Sequence, residues 1–326
     1  MTDFKNHFYH YNKQINKLTS AESSFAFILN PVSSGGKSLN FWKSFEKNLK
    51  NENISYQLFQ TTKSGEAVEL VQKAIQSGFK KIIAIGGDGT LHQVANGILS
   101  QSFYDTKDIA MGLIPMGTGN DFGRYWKLPV KNSLIISMMK NHKIVLQDVI
   151  KVNYIRENKN IFLISMGGCG FDSSVALKAH NEKLKGRGGK LVYLRCLLQS
   201  LFGYKSTTMK IVVDEKKYVG KFFSVAIGNN HSNGGGIMQC PGASMTDGKL
   251  NITMLGDLTL GEILWNLKGM FNGSFTKHKK VTTSFGQKIF LECSEENILE
   301  LDGEPYYNLP VSLEIVPSML SVIIPK

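Results

Sequence analysis

The stretch "KKIIAIGGDGTLHQVANGIL", residues 80–99, opens on an apolar run, Ile82 to Ile85. It passes through Gly86, Gly87, Asp88 and Gly89 and continues with Leu91, Val94, Ile98 and Leu99 at helical spacing. This predicts a buried strand entering a helix through a glycine turn. Such a turn permits positive φ and lets backbone N–H groups approach a bound group closely, and the helix N-terminus that follows favours negative charge. The turn can therefore cradle phosphate. Asp88 is out of keeping with a bare anion site, because a carboxylate repels phosphate unless a cation or a ribose hydroxyl lies between them.

Upstream, "SFAFILNP" reads as a buried strand, and "SLNFWKSFEKNLKN" repeats Phe41, Trp42, Phe45 and Leu49 at helical spacing. "ISYQLFQ" is strand-like, and "GEAVELVQKAIQSG" sets Val68, Val71 and Ile75 on one face before Gly78. Downstream, "DIAMGLIP" is a further strand leading into "MGTGNDFGRYW". Strands alternating with helices predict a doubly wound, mostly parallel α/β sheet of Rossmann-like form, with ligands at the carboxyl ends of its strands. From about residue 146 the texture changes to short β-rich runs, "DVIKVNYI", "NIFLISMG", "MKIVVDEKKYVG", "KFFSVAIG" and "KLNITML". These predict a β-sandwich or barrel, interrupted by two helical segments, "SSVALKAHNEKL" and "LTLGEILWNLKGMF". The expected division is a polar arm over 1–22, an α/β domain over 23–145 and a β-rich domain over 146–326, whose last strands are free to return to the first domain.

With 326 residues, 42% hydrophobic and 20% charged, the chain can bury a sizeable core in two domains. No apolar run approaches the roughly 18 residues of a membrane span, and the opening "MTDFKNHFYHYNKQINK" is polar, so a cytoplasmic protein is expected. Cys169, Cys196, Cys240 and Cys293 are scattered, which suggests reduced thiols and neither a zinc site nor a disulfide framework. The net charge of +12 favours an anionic partner, whether nucleic acid, membrane surface or phosphate. No nucleic-acid-binding module is recognisable.

Two more glycine loops follow strands. "NPVSSGGKS", residues 30–38, has Pro31 where a Walker motif needs its first glycine, so it is not a true P-loop. It can still set N–H and hydroxyl donors beside a nucleotide. "IPMGTGNDFGR" closes the next strand, so three loops bring glycines and hydroxyls to one sheet edge.

"GGDGT" with "PMGTGNDFGR" resembles the diacylglycerol kinase catalytic domain of bacterial lipid kinases, related to sphingosine kinases and more distantly to NAD kinases. In the same order, "PGASMTDGKLNI" (241–252) resembles that family's metal-binding segment and "LELDGEPY" (299–306) its catalytic motif, so the match spans roughly 23–326. The resemblance implies ATP and Mg²⁺ on the first domain. The implied nucleotide contacts are Asn30, Pro31, Val32, Ser33, Ser34, Thr62, Gly86, Gly87, Asp88, Gly89, Thr90, Leu91, His92, Gln93, Gly117, Thr118, Asn120 and Asp121. It implies Glu304 as proton acceptor, while Asp302 could equally serve as base or bind water or metal. It further implies a structural Mg²⁺ held by Asp247 with Ser244 and Lys249 and linked through water to Asp121. His92 and Gln93 depart from the Asn-Glu common in relatives.

The implied acceptor is a lipid hydroxyl, with diacylglycerol first. A sphingoid base, ceramide or phosphatidylglycerol would use the same chemistry, and a NAD kinase or an inactive nucleotide-binding homologue are the rivals. A lipid kinase must dock at a bilayer surface, and the basic segments 178–190 and 275–280 are candidates for peripheral attachment to anionic lipids. Members of the family often pair, so a homodimer is allowed.

Overall fold

The computed structural model describes residues 23–326 except 34, 118, 186, 188, 189, 295–297 and 307–308. The arm expected over 1–22 and the expected site residues Ser34 and Thr118 lie outside the described residues.

The first half alternates strands and helices: β1 (Phe25–Leu29), α1 (Lys37–Asn51), β2 (Tyr56–Gln60), α2 (Ala67–Gln76), β3 (Lys81–Gly86), α3 (Asp88–Leu99), β4 (Ala110–Pro115), α4 (Asp121–Tyr125) and α5 (Asn132–Lys140). The second half holds β5 (His142–Tyr154), β6 (Lys159–Leu163), β7 (Met166–Gly170), α6 (Phe171–Leu184), α7 (Lys190–Leu201), β8 (Thr207–Val213), β9 (Lys216–Gly228), β10 (Leu250–Gly256), α8 (Leu260–Trp265) and α9 (Leu267–Asn272). It ends with β11 (Val281–Gly286), β12 (Lys288–Cys293), β13 (Leu299–Leu301), β14 (Glu304–Tyr306) and β15 (Val311–Pro325).

The parallel strands lie in the order β2-β1-β3-β4. Alternate residues of each go to opposite faces, as the period of two requires. Ala26, Ile28, Ile82 and Ala84 join Val71 and Ile75 of α2 and Leu91, Val94 and Ile98 of α3 in one core. Phe25, Phe27, Ile83 and Ile85 join Trp42, Phe45 and Leu49 of α1 and Ile135 and Met139 of α5 in another. A strand buried on both faces reads as a continuous apolar run, and this is why "FAFIL" and "KIIAI" carry no alternation. Gly97 lets α2 and α3 close up, since a Cβ there would meet the Val71 side chain at 2.8 Å.

The last strand does return to the first domain. β15 pairs parallel with β4 at Ser321–Val322, antiparallel with β5 along most of its length, and antiparallel with β12 at its other end. The remaining strands continue as β12-β8-β9-β7-β13-β14, with β10 and β11 branching from β9, around a separate apolar core. The β5–β15 register shifts between Val316 and Leu320, a bulge where Ser318 takes φ +53. Buried Asp148 holds that bend: its Oδ1 accepts from Ser318 N at 2.7 Å and its Oδ2 from Gly248 N at 2.7 Å.

Two sequence expectations change. "NIFLISMG" is not one strand but two, β6 and β7, because the N–H groups of Ile164 and Ser165 turn away to bond the Asp302 carboxylate. The β-rich half also holds a helix that its sequence pattern concealed, α7, whose "KLVYLRCLLQSL" is apolar around most of its circumference and so lacks a single stripe. Among the described residues no helix is long and apolar enough to cross a membrane, and the four cysteines form no disulfide.

Candidate active site

The loops after β1, β3 and β4 interlock at the carboxyl edge of the parallel sheet. Asn30 donates from Nδ2 to Thr90 Oγ1 (3.3 Å), which ties the first loop to the first turn of α3. Met116 N donates to Gly86 O at 2.7 Å. Gly87 and Gly117 then pass so closely that a Cβ on Gly87 would stand 2.9 Å from Gly117 Cα, so only glycines bring these two backbones together. Asn120, at φ +53, accepts from Gly117 N at 2.8 Å and donates its own N–H to Asp88 Oδ2 at 2.9 Å. The result is a rim of backbone at the N-terminus of a twelve-residue helix, suited to phosphate.

Asp88 is half-buried, and its Oδ1 is out of water with no hydrogen-bond partner among the described residues. Burial first, then the nearby Asp121 carboxylate, pushes its acid up to about 6. Asp121 is itself buried, accepting from Arg124 Nη1 at 2.5 Å and from Gly235 N at 2.9 Å. A bare carboxylate oxygen with a second carboxylate close enough to raise its acid fits a hard cation such as Mg²⁺. Among the described residues no three His, Cys, Asp or Glu side chains form a group that could hold a metal ion by themselves.

The second component is the hairpin β13–β14. Asp302 (φ +52) and Gly303 (φ +87) form its tight turn, both in the left-handed region that such hairpins demand. Asp302 is buried and fully engaged. Its Oδ1 accepts from Ser165 N (2.8 Å) and Met166 N (3.3 Å), and its Oδ2 from Ile164 N (2.9 Å) and His92 Nδ1 (2.8 Å). The other ring nitrogen of His92 meets Tyr306 Oη at 2.8 Å. His92 is thus buried, its ring turned to the hairpin and not to the glycine rim. Asn96, one turn on, bonds Phe162 N and O at 2.8 and 2.9 Å, so α3 is tied to β6 twice.

This clamp sets Glu304 beside the rim. A Cβ on Gly89 would collide with Glu304 Oε1, and Glu304 Oε2 lies 3.1 Å from His180 Nδ1 on α6. Glu300, on the same hairpin, is buried and accepts from Gly303 N. Its acid is pushed well above the ordinary range, first by burial and then by the surrounding carboxylates of Asp302, Asp172 and Glu304. Asp172, at the start of α6, is also raised by burial and accepts from Ser224 Oγ at 2.5 Å.

The other expected residues fall as follows. Val32 is exposed and Pro31 and Ser33 lie beside it in the first loop. Thr62 is exposed after β2, with N and Oγ1 donating to Glu66. Leu91 is a core residue, and Gln93 is half-buried on α3. Asp247 is exposed in its turn, where Oδ1 accepts from Lys249 N at 3.1 Å, and Ser244 Oγ lies 3.4 Å from Tyr125 Oη. Sequence reading missed His180, Glu300, Asp172 and Asp148. Nothing local marks the first three, whereas a lone Asp inside the apolar run "QDVIKV" was a visible signal for a buried, bonded carboxylate.

Comparison with known proteins gives two consecutive matches. Residues 24–152 match the diacylglycerol kinase catalytic domain, and residues 165–324 match the YegS C-terminal NAD kinase beta sandwich-like domain. Proteins named "Probable lipid kinase YegS-like" from Yersinia pestis (strain Pestoides F) and Yersinia pseudotuberculosis serotype O:1b (strain IP 31758) are each 27% identical over 299 residues, 91% of this chain and 96% of theirs. Among solved structures, a "putative diacylglycerol kinase" from Bacillus anthracis str. Sterne superposes with a TM-score of 0.75 at 22% identity, covering 93% of this chain and 95% of that one. A second structure from that organism gives 0.72 at 21%, covering 93% and 97%, and at these identities the likeness speaks for the fold.

Proposed function

Because residues 24–152 belong to the diacylglycerol kinase catalytic domain family and residues 165–324 match the YegS C-terminal domain, we propose that the chain is an ATP-dependent lipid kinase. It transfers the γ-phosphoryl group to a lipid hydroxyl, with diacylglycerol converted to phosphatidic acid as the leading case. The observation that carries the reading is the approach of Glu304 to Gly89, which puts an acidic side chain at the N-terminus of the helix that would receive the phosphates.

In this reading the loops around Asn30, Gly87–Gly89, Gly117 and Asn120 hold the nucleotide through backbone N–H groups, and Thr62 reaches it from the loop after β2. Magnesium held by Asp88 and Asp121 would neutralise phosphate charge, which is most of what phosphoryl transfer asks of a protein. Glu304 accepts the proton of the lipid hydroxyl as that oxygen bonds phosphorus and the bond to ADP breaks. His180 keeps the second Glu304 oxygen oriented. Asp302 acts as a strut and not as the base, since both its oxygens are already occupied by N–H donors. A second magnesium at Asp247, with Ser244 and Lys249, belongs to the same proposal as a structural ion.

The test is transfer of label from radioactive ATP, with magnesium, to a panel of diacylglycerol, sphingoid base, ceramide and phosphatidylglycerol in mixed micelles, with NAD as control. Labelled phosphatidic acid is the expected product. Label in NADP alone, or in no lipid at all, would overturn the reading.

A further inference from the structure

Helix α7 is apolar on two opposite faces. Its inner face sets Tyr193, Cys196, Leu197, Ser200 and Leu201 toward the protein, with Tyr193, Leu197 and Leu201 packed on Phe171, Val175 and Phe223. Its outer face repeats Leu191, Leu194 and Leu198 at helical spacing and continues to Phe202, and all four are exposed, Leu191 at 83% and Phe202 at 70%. A second bare group lies on α8 and α9: Leu260, Leu264, Trp265 at 90% and Phe271. Both helices belong to one side of the molecule, because Ile263 of α8 packs on the same cluster as Leu197 and Leu201. Tyr204 and Lys205, just past α7, also line one cleft with Asp257 and Leu258, just before α8. Scattered exposed apolar residues are ordinary, but a helical stripe of them, with an exposed tryptophan on a helix packed on the same cluster, marks an interaction surface.

Charge indicates what covers it. From residue 183 to 213 the chain carries seven Lys and Arg and no Asp or Glu. Arg195 and Lys205 are exposed on and beside the stripe, and Lys268, Lys277 and Lys279 are exposed around the second group. Glu182 offsets part of this by pairing Lys185 at 3.2 Å and Arg187 at 3.6 Å at the head of the hairpin. Apolar side chains rimmed by cations complement a bilayer of anionic lipid, in which the apolar groups enter the acyl boundary while the cations meet headgroups. α6, the partner of α7 in this helical hairpin, carries His180 against Glu304, so the stripe is joined to the site by one connection.

We propose that the α7 stripe with α8–α9 is the face by which this protein lies on an anionic membrane, an inference that rests on its being a lipid kinase. The face delivers the active site to substrate held in the bilayer.

The test is co-sedimentation of the full chain with vesicles of phosphatidylcholine alone or mixed with phosphatidylglycerol, for wild type, Leu194→Ser with Leu198→Ser, and Trp265→Ser. Wild type is expected on the mixed vesicles and not on the neutral ones. The variants should lose about tenfold or more in binding, with melting curves and turnover of a short-chain, water-soluble diacylglycerol unchanged. Wild-type-like binding by the variants, or equal wild-type binding to neutral vesicles, would overturn the proposal. So would a wild-type dimer in light scattering that the same substitutions split, since a second copy would then be the occupant. Turnover of the soluble lipid without vesicle binding refutes this face and leaves the kinase; vesicle binding with no lipid phosphorylated supports the face and refutes the kinase.

Discussion

Asp88 and Asp302 both precede a glycine, the first at the start of α3 and the second in the β13–β14 turn, and they differ in what their oxygens meet. Asp302 has four N–H donors from three successive residues and a histidine, while Asp88 has the backbone N–H groups of Asn120 and Phe122 nearby and one oxygen, Oδ1, with no hydrogen-bond partner among the described residues. A buried acceptor left unpaired costs about 1–3 kcal/mol, a cost that a cation bound at Asp88 would offset. Asp302 holds the hairpin in place; Asp88, in the proposed reading, would hold a cation. Identical dipeptides thus serve opposite ends, and Glu304, two residues past the strut, lies where the strut delivers it.

The largest effect tests what the strut delivers. Glu304→Gln is expected to lower lipid phosphorylation about a thousandfold, with nucleotide affinity by calorimetry little changed, and a variant of near-normal rate would move the base elsewhere. Asp302→Asn should cost stability, by about 3 kcal/mol in urea unfolding, because the N–H donors lose their charged acceptor. A wild-type unfolding curve would erase the distinction drawn here.

Asp88→Asn is expected to act with the opposite sign. The folded protein raises this acid from 3.8 to about 6, so the folded state binds the proton more tightly than the unfolded chain. The penalty is therefore absent at low pH, sets in as pH rises through that window and is complete above it. Without nucleotide the variant should be more stable than wild type by about 3 kcal/mol at pH 7, with the advantage fading between pH 6 and 4, and phosphoryl transfer should be lost. A variant less stable than wild type at pH 7 would mean that Asp88 supports the fold.

Smaller effects sharpen the picture. His180→Asn should reduce kcat about tenfold with KM for ATP unchanged, and His180→Gln should recover part of it; equal changes in both constants would make His180 merely structural. Asp247→Ala should leave the melting temperature alone without magnesium, because the side chain is exposed. It should cancel whatever rise magnesium gives wild type, and a rise retained in the variant would remove the structural-ion assignment.

Much of this was legible in the residues. The glycine turns after β1, β3 and β4 announced themselves because backbone that must approach backbone excludes side chains, as Gly87 and Gly117 demonstrate. His92 was not legible: on its helix it is one of several polar residues, beside Gln93 and one turn from Asn96, and its partners, Asp302 and Tyr306, lie more than two hundred residues away. α7 was hidden for a different reason, since a helix with apolar residues on both faces has no preferred period to read.

Local sequence by itself determined the strand–turn–helix units, the doubly wound sheet and the chemistry available at its rim, because apolar period and glycine placement act over a few residues at a time. Only the tertiary structure decided which carboxylate is spent on the fold and which is left bare. That choice depends on whether donors from distant segments arrive at each oxygen, and donors such as Ile164, Ser165 and His92 are brought to Asp302 by chain folding alone.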